Sequence, residues 1–190
     1  MSRVVFFLEE KSATVLLQSV LPILFPTLEF ICLTHEGKND LEASLERKLR
    51  AWTVPGDIFV VVRDRDNEDC IQLKEKLKSI CANAGQPDAL VRIVCQELEA
   101  WYIGYPNAVT AAFGERGLSA LLRKPKFRDP DKVDKPSLVI KKFYPEFQKV
   151  GGARLIGPFL RYQGNKSRSF VVFIDGIANV TGLAVTLLEA

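Results

Sequence analysis

The sequence predicts an α/β fold: a mainly parallel sheet of four or more strands flanked by helices, followed by a helical C-terminal extension. Three observations carry this. Residues 1–100 alternate short apolar runs with longer segments of helical periodicity, in the order β-α-β-α-β-α-β. The connections are short, which suits parallel strands joined by helical crossovers. The most apolar run, Ile58-Phe59-Val60-Val61-Val62, is unbroken by polar residues, as expected of a central strand covered on both faces.

Arg3 to Leu8 reads as the first strand. Lys11 to Leu24 then places Val15, Leu16, Val20 and Leu24 at helical spacing, with Ser12 available as a cap and Pro22 and Pro26 marking the end. Leu28 to Leu33 is the second strand, and residues 34–40 form a polar turn in which Asn39 or Asp40 can cap the next helix. That helix runs to about Trp52 with Leu41, Leu45 and Leu49 on one face. Val54-Pro55-Gly56 breaks the chain before the third strand, which begins at Asp57. A helix is expected over roughly Asn67 to Asn83, closed by Gly85-Gln86-Pro87, and Leu90 to Cys95 is the fourth strand.

Trp101 to Leu122 has helical spacing interrupted at Gly104, Pro106, Gly114 and Gly117. Arg123 to Pro136 is a basic, proline-punctuated loop, and Ser137–Phe147 and Gly152–Tyr162 are short helices. Ser167 to Ile174 admits a strand locally. A helix is preferred, because Phe170, Phe173, Ile174, Ile177 and Val180 keep helical spacing and Ser167 or Ser169 can cap it. Residues 1–190 are expected to form one domain, with an α/β core over 1–100 and a mostly helical extension over 101–190.

Composition narrows the chemistry. No apolar run approaches the ~18 residues needed to span a bilayer, and the run Val4–Leu8 is too short for a signal peptide. Four cysteines without C-x-x-C spacing argue against structural zinc and for reduced thiols in a cytoplasmic protein. His35 is the only histidine, so any metal must be a hard, oxygen-ligated ion such as Mg²⁺ or Mn²⁺. The net charge of +3 hides an asymmetry: residues 1–100 carry −4, and residues 101–190 carry +7. The basic half suits a polyanion, although an uneven solubilising surface has the same composition.

Every expected strand ends in acid: Glu9 and Glu10, Glu36, Asp64 and Asp66, Glu97 and Glu99. In a parallel sheet these ends share one edge, where open α/β sheets place ligands. Alternation in an extended segment lets Asp64 and Asp66 project the same way. Converging carboxylates are costly unless a cation neutralises them, either a metal or Arg63 and Arg65. Taken singly, each acid also suits the first turn of a helix. Lys38 either holds a phosphate beside the site or is a solvated first-turn lysine, and His35 is either a proton carrier or a satisfied turn residue. Trp101 and Tyr102 suit base stacking less well than core packing. Lys124, Lys126, Arg128, Lys166 and Arg168, with Ser167 and Ser169 as hydroxyl donors, suit phosphate contacts and suit flexible, solvated loops equally well.

The blocks Phe-Leu-Glu-Glu-Lys-Ser-Ala, His-Glu-Gly-Lys-Asn-Asp-Leu, Val-Arg-Asp-Arg-Asp-Asn-Glu-Asp-Cys, Gln-Glu-Leu-Glu-Ala-Trp-Tyr-Ile-Gly, Arg-Asp-Pro-Asp and Asn-Lys-Ser-Arg-Ser-Phe run from residue 6 to about 170. Together they resemble the bacterial "domain of unknown function" family numbered 4276. The Glu after the first strand and the later D-x-D also resemble the Toprim fold of topoisomerases, primases and overcoming-lysogenization-defect nucleases. The resemblance implies a Rossmann-like, Toprim-like nuclease that uses magnesium, considered in phage defence beside an ATPase partner. It implies Glu9 as general acid/base and Asp64 and Asp66 as metal ligands, with Glu97 and Glu99 added from the strand-end pattern. Toprim sequences commonly carry Gly after the first Glu, where Glu10 stands here, so Glu9 and Glu10 are both catalytic candidates.

The expected function is therefore Mg²⁺- or Mn²⁺-dependent action on nucleic-acid phosphodiesters. One alternative is a non-catalytic binding partner or regulator of an ATPase. Another is a small-molecule phosphatase or phosphotransferase.

Overall fold

The computed structural model describes residues 3–187. Four parallel strands, β1 (Val4–Leu8), β2 (Phe30–Thr34), β3 (Ile58–Asp64) and β4 (Leu90–Val94), form one sheet in the order β2-β1-β3-β4. Leu8 pairs with Thr34 and Val62, and Asp64 with Val94, so the C-terminal ends lie along one edge. β3 continues two residues beyond the end of β1. That overhang carries Asp64 up beside Glu9, the residue that follows β1.

Strand alternation divides the core into two layers. Val5, Phe7, Phe59, Val61, Val91 and Ile93 pack against the leucines of α2 (Lys38–Arg50) and α3 (Cys70–Asn83). Val4, Phe6, Leu8, Val60, Val62 and Val94 face the other way, toward α1 (Lys11–Leu24) and the second half of the chain. That half comprises α4 (Glu99–Gly104), α5 (Pro106–Phe113), α6 (Leu118–Leu122), α7 (Pro136–Phe143), α8 (Lys149–Ile156) and α9 (Arg168–Thr181), with three short 3₁₀ turns. Trp101 is 1% exposed and packs against Phe170 and Phe173 of α9, with ring centroids 5.1 and 5.0 Å away, so it belongs to the core.

Several boundaries differ from expectation for local reasons. α1 keeps its expected bounds but runs through Pro22 rather than stopping there, and Phe25 N–H donates to Leu21 O at 2.7 Å to close it. Ser12 lies inside α1 and is not its cap; its hydroxyl donates to Glu10 Oε1. α2 starts behind Gly37, whose φ of 96° favours glycine, while Asp40 accepts from Glu36 N–H. α3 starts at Cys70 because the Asp69 carboxylate accepts from Ile71 N–H and Gln72 N–H. Ser167 caps α9 as its sequence suggests, accepting from Phe170 N–H.

Two separated motifs meet to dock α9. Asp131, in Arg-Asp-Pro-Asp, accepts from the Ser167 hydroxyl at 2.6 Å and from Ser169 N–H at 2.7 Å and hydroxyl at 3.0 Å. Asn165 donates to Trp101 O and accepts from Ser167 N–H. Ser167 and Ser169 are thus occupied inside the protein. This corrects their assignment as phosphate donors.

Candidate acidic active site

The overhang of β3 places Asp64 N–H 3.1 Å from Glu9 Oε2, so the first acid of the chain is tied to the last residue of the central strand. Around them gather Glu10, the residue before α1, and Glu99, which opens α4. Glu99 is 0% exposed, and neither of its carboxylate oxygens has a hydrogen-bond partner. Burial, with help from Glu97 and Glu10, lifts its pKa to about 7, Lys149 pulling the other way. Asp64 retains some surface, but burial followed by the charges of Glu9, Glu99 and Glu10 pushes its carboxyl well above the usual range. Burial likewise raises Glu9. Tyr102, 0% exposed and with no partner for its hydroxyl, lines the same pocket, and its pKa is raised by burial and by these acids.

The cation among them is Lys149, at the start of α8. Its Nζ stands 3.3 Å from Glu10 Oε1. Burial works against its charge, but Glu99, Glu10 and Asp64 outweigh that and raise its pKa. Lysine at the first position of a helix is unfavourable for the helix dipole. Nothing in the local sequence singles Lys149 out, because a basic residue also opens α1, α2 and α9 and its acidic partners lie far along the chain.

The arginines beside the D-x-D do not neutralise Asp64. Arg63 points to the opposite face of the sheet, is 1% exposed, and pairs with Glu42 (Nε to Oε1, 3.2 Å) and with Glu68 while donating to the Asp64 carbonyl. Arg65 Nε is buried without a partner. The two aspartates also part company: φ turns to 51° at Asp66, ending the alternation, and Asp66 accepts from Lys38 Nζ at 3.0 Å. The expectation that both project alike is corrected by this left-handed residue. Lys38 also stands 3.7 Å from Glu68, so it clasps the loop after β3.

The other candidates are placed as follows. Glu97 accepts from Ser137 N–H at 3.0 Å and so secures the start of α7. Glu36 is exposed. His35 is buried, its Nδ1 against Leu8 O at 2.9 Å, and burial lowers its pKa, which keeps it neutral. Lys124, Lys126, Arg128, Lys166 and Arg168 are all exposed on the extension, with Lys126 over the Phe127 ring. Burial pushes Cys32 to about 12 and Cys81 and Cys95 to about 11, so these thiols are not nucleophiles.

Among the described residues, no three Asp, Glu, His or Cys side chains are arranged to hold a metal ion. The donor chemistry nevertheless fits a hard cation: the carboxylates offer oxygen ligands, and Glu99 leaves two buried oxygens unpartnered. No described helix is long and apolar enough to cross a membrane.

A family model described as "Domain of unknown function (DUF4276)" matches residues 8–178. The fold is similar to that of the C-terminal region of the Burkholderia pseudomallei OLD protein, with a TM-score of 0.56 at 13% identity over 95% of this chain and 98% of that one. It is also similar to the C-terminal region of the Xanthomonas campestris pv. campestris OLD protein, with a TM-score of 0.53 at 13% identity over 96% and 97%. At such identity the likeness is one of fold. No curated protein sequence matches the chain.

Proposed function

The chain belongs to the DUF4276 family, and from that premise we propose that it is a Toprim-like, Mg²⁺- or Mn²⁺-dependent nuclease acting on nucleic-acid phosphodiesters. The observation that carries the reading is the meeting of Glu9, Glu10, Asp64 and Glu99 at one sheet edge, with both Glu99 oxygens buried and unpartnered. Likeness of fold to OLD C-terminal regions supports it.

Glu10, Asp64 and Glu99 would hold the cation in exchange for Lys149, with Asp66 and Glu97 in the surrounding shell. When bound, a divalent ion supplies positive charge to the phosphodiester and acidifies water. Glu9, oriented by Asp64 N–H, takes the proton of the attacking water on its carboxylate and returns it to the leaving oxygen. Its raised pKa brings it closer to neutrality, where an acid–base group works best. The basic extension steers the polyanion.

Incubation of purified protein with DNA or RNA and Mg²⁺ or Mn²⁺ tests this. Cleavage is expected, and Asp64→Ala with its fold intact should lower the rate roughly a hundredfold or more. No cleavage of any nucleic acid overturns the reading.

Lys149 favours a second reading. A tethered cation already inside the acid cluster makes a metal unnecessary, and the domain then serves as a non-catalytic partner of an ATPase. Calorimetry without heat from Mg²⁺ or Mn²⁺ would favour it.

A further inference from the structure

Beside the acidic pocket, between α7 and α8, lies a cavity of about 560 Å³ lined by Leu138, Lys141, Phe147, Gln148, Lys149 and Val150, with Ser137 at its rim. It is joined to the pocket twice. Lys149 belongs to both, through its contact with Glu10, and Glu97 fastens the start of α7 through Ser137 N–H. Its charged lining is two lysines and no acid. Leu138 is 57% exposed, an apolar side chain facing open space beside a lysine. Phe147 forms a buried floor.

Resting on the nuclease reading, we propose that this groove holds one nucleotide of the strand being cut, with its phosphate at Lys141 and its sugar or base against Leu138 and Val150. The volume is in the range of small-ligand sites, about 300–1,000 Å³. A basic groove tracks the backbone of a strand, and the exposed Leu138 offers apolar area to a sugar or base. Three other cavities among the described residues fit less well. Those at Arg47/Arg50 and at Ile58/Val180 border the ends of α2 and the start of β3, on the edge of the sheet away from the acids, and Arg50 is already paired with Glu46 at 2.7 Å. The one at Arg123/Lys166, about 180 Å³, is too small for a nucleotide.

The test uses the full chain and a fluorescein-labelled single-stranded oligonucleotide, read by anisotropy over a salt series with Ca²⁺ in place of Mg²⁺. Lys141→Gln should weaken binding similarly for every sequence and lower the slope of log K against log salt by about 1. Leu138→Asp, at an exposed position that leaves the fold intact, should weaken binding at least as much. Lys142→Gln, on the same helix but outside the groove, should leave both affinity and slope as in the wild type. If wild-type protein binds and Lys141→Gln behaves like Lys142→Gln, the groove is overturned and the nuclease reading stands. Wild-type protein that neither binds nor cuts nucleic acid overturns both.

Discussion

Glu99 and Lys149 set the balance of the acidic pocket. A carboxyl raised from its ordinary value to about 7 stabilises the folded state fully below the unfolded pKa near 4.5, and that contribution is lost as pH rises through about 7. Glu99→Gln should therefore match the wild type near pH 4. It should become more stable above pH 7, by up to about 3 kcal/mol, in urea melts across that range. Equal wild-type and mutant pH profiles would show that Glu99 is not charged against a cost. Lys149→Met acts in the opposite direction. It leaves Glu10, Asp64 and Glu99 without their cation and should lower stability at pH 8 in EDTA by about 1–2 kcal/mol, the lysine being only part-buried. If the acids bind a metal, Mg²⁺ should restore the Tm of this variant more than that of the wild type.

At the scale of elements, the function of the site depends on how α4 and α9 are held. α4 carries Glu99 on one end and closes against the 165–167 loop at the other, where Lys166 N–H donates to Gly104 O. A Cβ on Gly104 would stand 2.7 Å from Ser167 N and 2.1 Å from Asn165 Oδ1. Gly104→Ala should cost about 1–3 kcal/mol in urea midpoint stability by forcing the backbones apart. Asp131→Ala removes the acceptor shared by Ser167 and Ser169 and should cost about 1–3 kcal/mol. Trp101, whose Nε1–H donates to Ser169 Oγ at 3.0 Å, reports that loosening by fluorescence. The capping role of Ser167 was legible because Ser before an apolar helical run is a local signal. The role of Asp131 was not, because its partners lie far along the chain.

Over the whole molecule, one layer of the sheet is covered only by joining both halves. Val4, Phe6, Val60 and Val62 share a core with Trp101, Phe170, Phe173 and Ile177. Residues 1–100 alone would cover that face with α1 only and expose the rest, so we expect the full chain to unfold in one transition by fluorescence and by circular dichroism, and the 1–100 fragment not to fold. Two separated transitions would divide the chain into independent units. The charge split follows the same division: the acidic half builds the site, and the basic half covers it and supplies Lys149 and Lys141.

Sequence alone determined the alternating α/β order, the parallel sheet and the acid at each strand end, because periodicity, capping and short crossovers are local properties. It also carried the family resemblance. Which acids meet was decided only by tertiary structure. The two-residue overhang of β3 brings Asp64 to Glu9, the left-handed turn at Asp66 hands that carboxylate to Lys38, Glu97 turns to α7, and Glu36 stays in solvent. The neutralising charge was decided there too. Arg63, adjacent in sequence, lies on the opposite face of the sheet because side chains alternate along a strand, whereas Lys149 reaches Glu10 because α8 packs against α1.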